Sequence, residues 1–237
     1  MHYLSILTTL ITFTFAAAVF KRFTARHGPH LFLWGIGLML YGIGALMEVI
    51  SLFNFNVIAL RLWYLTGAML TAAWLGQGTV NLLVRRRGIA LALNIILSLA
   101  SVLAVVLVFL APINPAAASF NTSQPLSAQY QDILTRSSTI VMLTILLNSY
   151  GTLALVGGAI YSAYIFWRKH ILFNRMIGNI LIAAGAILPA TGGTFIQMGL
   201  ADYLYLSELL GAILMFIGYL QATIQTSSIT PPSASDK

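Results

Sequence analysis

Cysteine is absent from the 237 residues, and charge is scarce: 7% of the chain is charged, against 59% hydrophobic. Without cysteine there are no disulfides, thiolate metal sites, iron–sulfur clusters or cysteine nucleophiles. A soluble domain carries about 25% charged residues, so a chain this apolar has too little charge to keep it in water. Walker, HExxH and GxSxG signatures are missing too. The four histidines, His2, His27, His30 and His170, fall at the start of the chain or in the expected connections between apolar segments. That weakens axial haem ligation and zinc hydrolysis inside those segments. No nucleophile–base set is recognisable, so the expectation is a protein that is not an enzyme.

Seven separate apolar blocks are present, at 4–20, 31–53, 59–84, 89–110, 138–167, 176–198 and 203–224. Each is near or above the ~20 residues with which a helix crosses ~30 Å of hydrocarbon. The expected fold is all-α, a polytopic membrane bundle of seven transmembrane helices in one domain, 1–225, with the lipid bilayer as its surroundings. A short Ser/Pro-rich tail, 226–237, is expected to be disordered and cytoplasmic.

The net charge of +7 does not point to nucleic acid, because the basic residues cluster between apolar blocks. Lys21, Arg22 and Arg26 follow the first block, Arg85, Arg86 and Arg87 the third, Arg168, Lys169 and Arg175 the fifth, and Lys237 ends the tail. The alternate connections hold only Arg61 and Arg136. Basic residues gather on the cytoplasmic side, which puts the N-terminus outside and the C-terminus in the cytoplasm. No basic region precedes the first block, so that block reads as a retained helix and not as a cleaved signal peptide. The longest connection, 111–137, lies outside on this reading. It contains Pro112, Pro115 and Pro125, and 127–136 forms either a short interfacial helix or an extension of the fifth span. It either caps a site or merely connects.

Small residues inside the blocks, among them Gly42, Gly44, Gly76, Gly78, Ala154, Gly158, Gly192 and Gly193, allow close helix packing; a dimer seam is the alternative for Ala154 and Gly158. Pro189 bends the sixth helix and marks a hinge. Ionisable groups in a membrane are costly and point to function. Glu48, Arg61 and Glu208 fall at similar depths in the second, third and seventh blocks. They make a candidate ligand site opening outward, with Trp63, Tyr64 and Tyr205 as walls. The alternatives are a Glu48–Arg61 ion pair and an interfacial aromatic belt that includes Tyr203. Gln77, Asn81, Asn94 and Asn179 are expected to bond neighbouring helices, with Asn148 between the two polar levels. No metal site and no cofactor are expected. Seven spans with an external N-terminus are similar in outline to the rhodopsin architecture, but the seventh block has no lysine, which excludes a retinal Schiff base there.

Glu48, the run Arg61-Leu62-Trp63-Tyr64-Leu65, the run Trp74-Leu75-Gly76-Gln77-Gly78-Thr79 and Leu82-Leu83 together carry a resemblance. The stretch resembles a group of uncharacterised bacterial seven-helix membrane proteins and, more remotely, the seven-helix N-terminal sensory module of histidine kinases. The resemblance implies a bacterial plasma membrane and a sensor or binding protein for a small molecule or lipid. No signalling domain follows the last block, so a separate signalling partner is implied. A transporter or lipid-handling protein, and an accessory subunit of a membrane complex, are the alternatives. The oligomeric state stays open.

Overall fold

The computed structural model describes residues 3–84, 86–170 and 172–223; the expected tail, 226–237, lies outside the described residues. The chain forms α1 (Leu4–Arg26), α2 (Pro29–Ser51), α3 (Val57–Leu83), α4 (Arg87–Leu110), α5 (Leu126–Ile133), α6 (Ser138–Arg168), α7 (Phe173–Ala190), α8 (Gly192–Gln197) and α9 (Ala201–Thr223). All except α5 and α8 are long and apolar enough to span a membrane, and the described residues contain no strand.

Local chemistry sets the helix ends. His27 adopts the left-handed conformation and its N–H bonds the Phe23 carbonyl, stopping α1 six residues beyond the expected end. Pro29 then occupies the first turn of α2, where its missing N–H costs nothing. That early start draws His30 into the span, against the sequence expectation, with its ring edge-on to Trp34. Asn56 caps α3 by accepting from the N–H groups of Ile58 and Ala59, and Ser137 caps α6 through Ile140. The buried hydroxyls of Thr8, Thr9 and Thr12 bond carbonyls one turn back in α1, so they need no partner elsewhere.

Six helices pack in a closed ring in the order α1, α2, α3, α6, α7, α9 and back to α1. α4 lies outside the ring, and among the described residues its main contacts are with α3 and α6. Two glycines on α7, Gly178 and Gly185, meet Gly218 and Gly211 of α9. A side-chain carbon on Gly178 would come within 2.5 Å of the Gly218 carbonyl, and one on Gly185 within 2.7 Å of the Gly211 carbonyl. In lipid such backbone approach replaces the hydrophobic drive that binds helices in water. Gly158 packs against Thr79 and Leu83, so this part of the expected small-residue face serves the α3–α6 contact inside the chain.

Two expected spans have a different internal form. The third contains a π-helical stretch, Trp63–Leu70. The sixth ends at Ala190 instead of running to 198; Pro189 occupies its last turn, and the chain resumes in the short α8. Pro189 therefore marks a terminus, its ring packed on Gly211 of α9, and not a bend midway along one helix. The connection 111–137 is a compact unit. It holds a 3₁₀ turn, Pro115–Ser119, the separate helix α5, and an antiparallel bridge between Ile113 and Leu134. Leu126, Ser127, Ile133 and Leu134 are buried, so this segment is a packed lid on one end of the ring.

Candidate functional site

Beneath that lid the ring helices line a partly open cavity of about 540 Å³. α2 contributes Tyr41, Gly44, Ala45 and Glu48, and α3 contributes Trp63, Tyr64, Gly67, Ala68, Thr71, Ala72 and Leu75. Tyr130, Gln131 and Arg136 border it from the lid segment, Thr144, Asn148, Thr152 and Leu155 from α6, Ala186 and Pro189 from α7, and Leu204, Glu208 and Met215 from α9. From Val141 to Leu155 the α6 lining covers fourteen residue steps, about 21 Å of helix at ~1.5 Å each. An apolar core cluster that includes Leu31, Leu38, Tyr41, Leu75, Leu155, Met215 and Tyr219 runs from the cavity floor toward the opposite face. That face carries the connections with the basic residues.

The π-helical stretch explains why α3 can wall the cavity. A π-helix turn leaves carbonyls without the usual i+4 donor, and such stretches recur at functional sites. Here the Thr71 hydroxyl donates to the Thr66 carbonyl at 2.7 Å and Asn148 donates to the Ala68 carbonyl at 2.7 Å. A side-chain carbon on Gly44 would lie 2.7 Å from the Gly67 Cα, so α2 and α3 touch backbone to backbone at this level.

Glu48 is 1% exposed. Its Oε1 accepts from the Leu126 N–H at 3.0 Å and the Tyr205 hydroxyl at 2.8 Å, while its Oε2 has no partner among the described residues. Tyr205 also meets the Ser127 hydroxyl at 2.7 Å, which fastens the lid to α9. In the reverse direction, the Tyr41 hydroxyl of α2 donates to the Glu208 carbonyl of α9 at 2.8 Å. Two tyrosines thus cross-tie α2 and α9 beside the cavity. The Glu208 side chain faces the cavity and receives no hydrogen bond among the described residues.

No family model, curated protein or solved structure matches this chain. The site must be judged on its geometry.

Of the six expected site residues, Glu48, Glu208, Trp63 and Tyr64 border one cavity. Arg61 does not. It stands on the side of α3 turned toward α4, where its guanidinium donates to the Ala111 carbonyl at 2.9 Å and lies over the Phe109 ring. The Glu48–Arg61 ion pair does not form, because the lid and Tyr205 occupy the space around Glu48. Tyr205 stands behind the lining as an anchor for Glu48, not as a wall. Of the expected belt, Tyr203 is exposed, whereas Trp63, Tyr64 and Tyr205 are buried.

Gln77, Asn81 and Asn94 form one amide cluster joining α4 to α3: Gln77 and Asn81 both donate to Asn94 Oδ1, and Tyr150 of α6 donates to Gln77. Among the described residues Asn179 bonds only the Arg175 carbonyl of its own helix; a side-chain hydrogen bond between α7 and α9 near this level runs instead from Gln221 to Asn174. Asn148, expected as packing, bonds the Ala68 carbonyl of α3 and also borders the cavity.

Sequence reasoning missed Tyr41, Tyr130 and Arg136. Tyr41 precedes Glu48 by two helical turns on one face, a signal that was available. Tyr130 and Arg136 come from the lid, whose placement no periodicity announces. Burial pushes the Tyr130 hydroxyl above its ordinary value, opposed by the Arg136 charge, so it remains a hydroxyl at neutral pH. Arg136 sits over the Tyr130 ring at 4.9 Å.

Proposed function

We propose that this chain is a non-enzymatic sensor or binding protein that takes a small molecule or lipid into its central cavity from the outer side of a bacterial plasma membrane. The observation that carries this reading is the cavity of about 540 Å³ beneath the lid, bordered by Glu48 and Glu208. Ligand pockets run from about 300 to 1,000 Å³ and combine apolar walls with a few convergent polar groups. Ionisable groups inside a membrane are costly enough that a bundle retains them for a task. The basic connections opposite the lid support outward access for the cavity, and the resemblance to kinase sensory modules supports sensing. Signalling would pass to a separate partner.

Native mass spectrometry of the chain purified in mild detergent tests this. A retained mass adduct, lost in Ala68→Phe, is the expected result. A bare chain in both proteins counts against it.

One observation favours transport as the second reading. With α4 outside, three ring helices, α1–α2–α3, precede it and three, α6–α7–α9, follow it, and transporters are often built from two halves. The apolar cluster beneath the cavity weighs against a through-path. Solute flux in reconstituted vesicles would decide for transport.

A further inference from the structure

Two acidic side chains reach one cavity inside the ring, and what balances them identifies the ligand. Glu48 is buried with Oε2 unpartnered, and Glu208 has no hydrogen bond on its carboxyl group among the described residues. The basic groups near this level are turned elsewhere. Arg61 is engaged by the Ala111 carbonyl and Phe109 on the α4 side. Arg136 borders the cavity, but its guanidinium lies over Tyr130 and donates to that hydroxyl at 3.4 Å, with no ion pair to either glutamate. A carboxylate away from water needs a cation or a proton.

The rest of the lining suits an organic cation. Trp63 and Tyr64 border the cavity with aromatic rings, which attract an ammonium through the ring quadrupole; the Tyr130 ring already carries Arg136. Leu75, Leu155 and Met215 make the floor apolar. Among the described residues no three of His, Cys, Asp and Glu gather as metal ligands. We infer that the cavity binds a small amphipathic amine in its protonated form, with the ammonium at the Glu208 carboxyl group, the buried Glu48 adding negative charge behind the lining, and the apolar body on the floor below. This deepens the proposed function and rests on it.

The test uses the purified 237-residue chain in nanodiscs with three probes of similar shape: phenethylammonium, phenethyl alcohol and phenylacetate. Binding is read from tryptophan fluorescence and thermal stabilisation. Saturable binding of phenethylammonium, at least tenfold tighter than the alcohol and with no binding of phenylacetate, is the expected result. Glu208→Gln should weaken the amine at least tenfold while leaving the alcohol unchanged, and Ala68→Phe should abolish both. Equal binding of amine and alcohol, or tighter binding of phenylacetate, overturns the cation assignment but leaves the cavity as a binding site. No saturable binding by any probe overturns the assignment, and a bare chain in the native mass spectrum would then remove the binding reading as well. The wild-type comparison of the three probes stands without any variant, so a Glu208→Gln protein that fails to fold does not blunt the test.

Discussion

α3 and α4 are neighbours in sequence and opposites in the structure. α4 is the most apolar of the seven spans, and only 17% of its apolar window is buried; α3 is among the least apolar, and 56% is buried. In water this order would be reversed. In a bilayer the hydrocarbon accepts apolar side chains, so α4 can turn Leu91, Ile95, Ile96, Leu99 and Val102 outward at no cost. α3 carries Thr66, Gln77 and Thr79, which lipid does not satisfy, and these are taken inside the protein. The relation is not general: α7 is as little apolar as α3 and as little buried as α4, and it packs through glycine. Burial in this bundle does not follow hydropathy.

Mutation can break the contrast from the α3 side. Gly151 of α6 faces the Ala72–Ala73 backbone with no room for a side chain. Gly151→Leu should force α6 off α3 and cost about 3 kcal/mol or more, read as loss of the monodisperse peak in size-exclusion chromatography. The amide cluster between α3 and α4 comes next. Gln77→Leu removes the partner of Tyr150 and one donor to Asn94, and should cost about 1 to 2 kcal/mol in unfolding from mixed micelles. Arg61→Gln loses one charge-assisted bond to the end of α4. It should cost about 1 kcal/mol and leave binding of the phenethylammonium probe unchanged; a loss of binding would return Arg61 to the site. At the other extreme, Ile96→Ala on the lipid face of α4 should stay within about 0.5 kcal/mol of the parent. A larger effect would mean that α4 has a protein neighbour in the membrane, and crosslinking would find it.

Seven spans were legible because their signal is local. A run of apolar residues long enough to cross the hydrocarbon reads the same in any arrangement. Glu48 and Glu208 were legible for a related reason, since a carboxyl group in such a run stands out wherever its helix packs. Arg61 was misread because sequence gives depth but not azimuth. It shares a level with Glu48, yet the helical rotation from Arg61 to Trp63 and Tyr64 turns it to the α4 side. The lid was the least legible part. Its packing depends on Leu126 N–H and Ser127 meeting residues 78 positions away in either direction, on α2 and α9. The break after Pro189 was marked by the proline, but that the helix would end there depends on the fit of the proline ring against Gly211.

The bond from Tyr205 to Glu48 joins residues 157 positions apart. At a synthesis rate of about 5 to 20 residues per second, roughly 8 to 30 s separate the emergence of the two. During that interval Glu48 is in the bilayer without the hydroxyl that will hold it, and α1 has not yet met α9. The ring therefore closes late in the life of the nascent chain. Any chain interrupted before the last helix presents an acidic side chain and an open groove to lipid, which gives membrane quality control a chemical mark by which to recognise it.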